Sequence, residues 1–165
     1  MNKAQNQTRD QIRALFDSQS LAVLATSKDD QPYASLVLFV VTPDLKEIVF
    51  LTPDTTRKYD HLIHNPKVAV LINDTTNRKE DIDRAASVTA TGIAAIFEHE
   101  KKDQYMGLYL NRHPHLKSFS DLTTTALVCV TVDRYILVTQ FQNVVEIQMT
   151  KTKSLFAKPM PLQKR

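Results

Sequence analysis

Three β-rich runs joined by very short polar turns constrain this chain more than any other feature. "LAVLATS" (21–27) is followed by "KDDQ", then "PYASLVLFVV" (32–41), then "TPDLK", then "EIVFLT" (47–52). Such connections make consecutive strands antiparallel, because a parallel return needs a crossover of a dozen or more residues. β character resumes at "KVAVLIND", at "ASVTATGIAAIF" with a bend expected at Gly92, and at "TALVCVTVDRYILVTQF". The last run is too long for one straight strand and reads as two, or as one bent at Asp133-Arg134. "VVEIQM" is the segment expected to close the sheet. Helical spacing occurs at residues 8–19, where Ile12, Leu15 and Phe16 share a face. It returns at about 57–65 and in "EHEKKDQYMGLYLNRHP", with "HLKSFSDL" as a short further helix and 74–85 as a polar loop. The expectation is a mainly β protein of about six strands, an antiparallel barrel with peripheral helices.

Glycine usage removes whole classes of function. Gly92 and Gly107 are the only two glycines in 165 residues. The phosphate-binding loop of nucleotide hydrolases and the dinucleotide fingerprint both need glycine where backbone must approach phosphate, so neither is present. The single cysteine, Cys129, lies in the apolar run "ALVCVTV" and reads as a buried structural thiol. The formal charge of +3 is unevenly placed. Lys151, Lys153, Lys158, Lys164 and Arg165 supply five cations to the acid-free end, leaving −2 on residues 1–149. The organisation expected is therefore one domain over 1–150 and a basic tail over 151–165. The mildly acidic body offers no charged face for nucleic acid. With no secretory signal and no apolar run of membrane-spanning length, a cytoplasmic protein without membrane association is expected.

The sharpest local signal is "FLTPDTTRKYDHLIHNP" (50–66). Tyr59, Leu62 and Ile63 fall at helical spacing, Asp54, Thr55 or Thr56 can cap the start, and Asn65-Pro66 reads as the stop. Arg57 and Lys58 then occupy the first turn, where the helix dipole is already positive. Two cations there make physical sense if an anion such as phosphate binds, assisted by free N–H groups and a threonine hydroxyl. The alternative is a pair of surface cations matched with Asp54 or Asp60. His61 and His64 have a spacing able to hold a metal, but no ligand set completes it, and no metal is expected. Pro114 ends the later helix and is expected to aim His113 outward. No serine or cysteine has the surroundings of a nucleophile.

The ordered succession "LAVLATSKDDQPYASLVLF" and "IVFLTPDTTRKYDHLIHNPKVAVLI" resembles the FMN-binding split-barrel family related to pyridoxamine 5′-phosphate oxidase. The similarity runs from about Ser20 to Gln140. In that family a strand ending in an aromatic-Thr pair leads to a Ser/Thr-Arg-Lys turn, a short helix and Asn-Pro. The matching positions are Leu51-Thr52, Thr56-Arg57-Lys58 and Asn65-Pro66, with leucine replacing the aromatic residue. The resemblance implies a six-stranded antiparallel split β-barrel with peripheral α-helices, forming a homodimer with FMN at each subunit interface. Thr56, Arg57 and Lys58 would hold the flavin phosphate, with Thr52 nearby. Ser35, Leu36, Val37 and Leu38 would run under the flavin ring, mainly through backbone, and Ser87 would face it from a neighbouring strand.

Departures from the vitamin B6 oxidases concern the substrate. Those enzymes carry Arg where this chain has Ser35 and Lys where it has Val40, and their Arg- and Trp-bearing C-terminal segment has no match here. The resemblance then implies an FMN-dependent oxidoreductase acting on another small substrate, with Tyr109, Arg112 and His113 as the substrate-side candidates. A second branch of the superfamily binds heme, and "YLNRHPHLKSFSDL" is similar to its corresponding helix and return strand, making His113 and His115 the candidates for that alternative. A flavin-binding stress-response module without catalysis is the third reading.

Overall fold

The structure is a computed structural model that describes residues 3–97 and 101–149, so the basic segment 151–165 lies outside the described residues. The strands are β1 (Leu21–Lys28), β2 (Gln31–Val41), β3 (Glu47–Pro53), β4 (Lys67–Asn73), β5 (Ala86–Ile96), β6 (Thr125–Thr139) and β7 (Asn143–Gln148). The helices are α1 (Lys3–Ser18), α2 (Arg57–His64), α3 (Asp81–Arg84), α4 (Lys102–Arg112) and α5 (Lys117–Ser120). A 3-10 turn over Pro114–Leu116 joins the last two, and α3 occupies part of the segment expected to be loop.

All strand pairs are antiparallel, in the order β3-β2-β1-β4-β5-β6-β7, and β3 also pairs with β6. Six strands thus close into a barrel. The expectation that "VVEIQM" closes the sheet is corrected: β7 pairs with the outer half of β6, and the closing seam is β3 on β6, from Glu47↔Thr131 to Pro53↔Thr125. The β1–β2 turn is tight because Asp29 and Asp30 both take positive φ, 51° and 60°. That geometry matches the twist of the flanking strands, and aspartate tolerates it better than most residues.

β6 serves β3, β5 and β7 by bending once. Pairing with β5 runs in step until Thr91↔Arg134, then resumes at Gly92↔Val132, so Asp133 is the extra residue of a bulge. The sequence reading of one strand bent at Asp133-Arg134 is the one realised. Gly92 is obligatory at this bend, because a Cβ there would lie 2.2 Å from the Thr131 carbonyl oxygen.

Inward-facing residues alternate along every strand and fill the barrel, among them Leu24, Phe39, Phe50, Val70, Val88, Val130 and Tyr135. Helix α1 plugs one end with Ile12, Leu15 and Phe16, the Phe16 ring standing edge-on to Phe39 at 5.8 Å. Arginines pin this plug. Arg13 donates to the carbonyls of Thr42 and Pro43, and Arg112 donates to those of Phe16, Asp17 and Gln19 at the end of α1. Outside the barrel, α4 lays Tyr105 and Tyr109 over Val40, Val49, Leu51, Leu127 and Cys129. Burial pushes the Cys129 thiol up to about 12, as befits a structural cysteine. Among the described residues no helix is long and apolar enough to cross a membrane.

His113 closes the junction of α4 with the barrel. It is 2% exposed, and its Nε2–H donates to the Phe39 carbonyl at 2.8 Å. The expectation that Pro114 turns it outward is corrected, because α4 ends one residue earlier, at Arg112, and the His113 ring turns in against Tyr109. Burial holds its pKa below the ordinary histidine value. The unfolded chain therefore binds the proton more readily, and stability falls as pH drops below about 6.5, the loss becoming complete beneath the depressed folded value. His113→Gln, which can still donate to Phe39, is expected to flatten this acid-side slope in urea unfolding series. The two glycines predict opposite responses. Gly92→Ala should lower the unfolding midpoint by the equivalent of about 1–3 kcal/mol. Gly107→Ala, on an exposed helical position with nothing within 4 Å, should raise stability by about 0.5–1 kcal/mol.

Candidate functional site

Strands β2 and β3 part company next to the start of α2. β2 pairs with β1 over Gln31–Leu38 but with β3 only over Phe39–Val41. Beyond Phe39 the backbone edge of β2 that would continue the β3 ladder is unmatched among the described residues. Ser35–Leu38, expected to offer backbone contacts to a ligand, form this free edge. Ser35 faces inward and its hydroxyl is buried without a hydrogen-bond partner, whereas Leu36 points outward and is 62% exposed. Val37 is buried in the barrel, and Leu38 packs with Leu51 on the outer side.

Helix α2 starts beside this gap. Thr56 is its N-cap: the hydroxyl donates to the Pro53 carbonyl at 2.9 Å and accepts from the Tyr59 N–H at 3.3 Å. Thr52 Oγ1 lies 3.0 Å from Thr56 Oγ1. Since Thr56 has already given its proton to Pro53, Thr52 is the donor of that pair. The Thr56 hydroxyl thus shapes the terminus of α2. The N–H groups of Arg57 and Lys58 remain, with no hydrogen bond among the described residues.

The side chains of the same two residues are equally uncommitted. Neither makes an ion pair among the described residues, and Asp60 is taken by Lys28 at 2.8 Å and by His64. The alternative in which Asp54 or Asp60 neutralises the cations is therefore not what the fold builds. Lys58 is half-buried, and desolvation lowers its pKa. A desolvated ammonium without a counter-charge is costly unless an anion joins it. Arg57 is exposed and lies over the Tyr33 ring at 5.2 Å. Two backbone donors, a guanidinium and an ammonium thus belong to the first turn of α2, at the positive end of its dipole, a donor set suited to a phosphate.

The remaining candidates lie elsewhere. Ser87 pairs with Asn73 and Val138, at the end of β4 remote from α2, so one protomer does not bring it to Arg57 and Lys58. Tyr109, Arg112 and His113 sit in the packing between α4, α1 and β2. Tyr109 is buried with its hydroxyl pushed up to about 12 by burial, and Arg112 is spent on the α1 carbonyls. His61 turns inward, Nδ1 to Thr26 Oγ1 at 3.1 Å, while His64 is exposed. Among the described residues no group of three or more His, Cys, Asp or Glu is placed to hold a metal ion. Sequence reading missed Tyr33 and Thr26, whose approach to α2 depends on the β1–β2 register.

The outward row Leu36, Val23, Leu71, Thr89 and Ile136 runs across five strands in register. With Leu21, half exposed, it gives the barrel an apolar outer face beside the gap.

Residues 8–139 match the model of the pyridoxamine 5′-phosphate oxidase family. A pyridoxamine 5′-phosphate oxidase homolog of Schizosaccharomyces pombe is 29% identical, over 57% of this chain and 63% of that protein. Among solved structures, a heme-binding protein from Mycobacterium smegmatis superposes with a TM-score of 0.74 at 20% identity, covering 82% of this chain and 55% of that one. An FAD-binding protein from Mesorhizobium loti superposes with a TM-score of 0.63 at 14% identity, covering 78% and 90% of the two chains. The chain spans less than two thirds of the yeast relative and little more than half of the mycobacterial one. The structural likenesses establish the split-barrel fold, and the match over residues 8–139 establishes the lineage: this chain belongs to the pyridoxamine 5′-phosphate oxidase family.

Proposed function

We propose that the protein is an FMN-binding flavoprotein that acts as a homodimeric oxidoreductase on a small substrate. The observation that carries this reading is the pair of unneutralised cations at the start of α2, one of them desolvated, beside a free strand edge. The phosphate of FMN supplies the missing negative charge. Arg57 and Lys58 would hold it through side chains and N–H groups, with Thr52 and Thr56 setting the terminus. The edge Ser35–Leu38 offers unladdered backbone groups to the ring system, and the buried Ser35 hydroxyl gains a partner. When bound, the flavin supplies the electron chemistry; the protein binds it, orients it and controls access.

A second copy completes the site in this reading. The outer row that begins at the exposed Leu36 needs a cover, and Ser87 can reach the α2 terminus only from another subunit. The substrate is not assigned to pyridoxamine 5′-phosphate, because Val40, at the position where the B6 oxidases carry lysine, is buried beneath α4. The heme alternative draws no support from His113, whose Nε2 is committed to Phe39.

Purified protein reconstituted with FMN is expected to show flavin absorbance near 450 nm (about that value for the cofactor itself). Arg57→Ala and Lys58→Ala should each weaken FMN binding by roughly 1.5–3 kcal/mol, measured by fluorescence quenching. A Soret band with hemin and no flavin uptake would overturn this reading. Light scattering should give a dimer, and Leu36→Glu should yield a folded monomer with greatly reduced FMN affinity.

A further inference from the structure

Thr26, Tyr33, Arg57 and His61 tie α2 to the β1–β2 hairpin beside the Lys28–Asp60 ion pair. Tyr33 and Thr26 are directly opposite across β1 and β2. The Tyr33 ring meets two residues of α2 spaced one turn apart. Arg57 lies over its face at 5.2 Å, and His61 meets it edge-on, centroids 5.6 Å apart. His61 is itself buried and anchored by Nδ1 to the Thr26 hydroxyl at 3.1 Å. Thr26, His61 and Tyr33 thus form a braced stack with Arg57 as its outermost layer.

Arg112 also lies over a ring, that of Phe39 at 6.0 Å, but unlike Arg57 it donates to backbone carbonyls as well. Arg9, Arg13 and Arg112 spend their N–H donors on backbone carbonyls. Arg57 instead places its guanidinium carbon over the Tyr33 ring, 5.2 Å from the centroid, and no hydrogen bond among the described residues uses its N–H donors. Stacking on an aromatic face and bidentate donation to an oxyanion are geometrically compatible, because one uses the face and the other the edge. An exposed arginine without such a platform must lose rotamer freedom each time it binds.

We infer that Tyr33, braced by His61 and Thr26, is a positioning residue that presets the Arg57 guanidinium for a terminal phosphate monoester. This rests on the FMN reading above and adds how selectivity for the phosphorylated flavin arises. Tyr33 does not touch the phosphate in this scheme. Its effect passes through Arg57 and therefore disappears when Arg57 is removed.

The test compares FMN with riboflavin, which lacks the phosphate, in wild type, Tyr33→Phe, Tyr33→Leu, Arg57→Ala and the Tyr33→Leu/Arg57→Ala double variant. Tyr33→Leu should lower the FMN-over-riboflavin affinity ratio roughly threefold to tenfold. Tyr33→Phe, which keeps the aromatic face, should retain it, and Tyr33→Leu should add nothing in the Arg57→Ala background. An unchanged ratio in Tyr33→Leu, an equal loss for both flavins, or full additivity with Arg57→Ala would overturn the proposal. A second arm uses inorganic phosphate and follows the Arg57 Nε–H by NMR. The phosphate-induced shift should persist in Tyr33→Phe and weaken in Tyr33→Leu, and equal shifts in the two would overturn the inference. If wild type binds phosphate at Arg57 but takes up no FMN, the flavin reading fails while the phosphate arm still decides the role of Tyr33.

Discussion

Pairing of β6 with both β3 and β5 is the constraint on which the rest of the molecule depends. A strand that satisfies two neighbours over its inner half and a third over its outer half must bend, and Asp133 supplies the bend as an extra residue. The bend brings the β5 backbone so close to Thr131 that only glycine fits at position 92. Closing the ring by this seam leaves β2 paired on one side only beyond Phe39. The gap beside α2 is thus a result of how the barrel closes.

At that gap the electrostatics and the backbone geometry agree. The N-cap threonine orders the first turn, which aims the N–H groups of Arg57 and Lys58 outward. Nearby carboxylate is diverted: Asp60 is engaged by Lys28 of β1 and by His64. Had Asp60 turned to Arg57, its neighbour at i−3, one of the two cations would be neutralised. The first turn of α2 keeps its cations unpaired because Asp60 is engaged elsewhere.

Much of this was legible in the sequence. Short turns and alternating apolar residues announced the antiparallel strands, and Gly92 and Asp133-Arg134 marked the bend, because local rules govern those features. The two cations in a helical first turn were visible as an electrostatic oddity for the same reason. What was not legible depends on long-range register. The seam between β3 and β6 joins segments about eighty residues apart, so the closing role was assigned to β7 in error. His113 looked like a helix-end cation, yet the tertiary packing of α4 makes it a buried donor to Phe39. The approach of Tyr33 to Arg57 likewise needs both the hairpin register and the placement of α2.

The lateness of the β6 seam also bears on how the chain is made. During synthesis β1 to β4 emerge first, and their pairings β2–β3, β1–β2 and β1–β4 are available early. Until residues 125–131 follow, β3 has an unpaired edge and its apolar residues lack their cover. Long-range seams of this kind are slow to form, and an open apolar sheet is adhesive while it waits. The nascent chain therefore passes through a stage in which the half that carries α2 exists as an incomplete sheet, exposed to association with other unfinished chains.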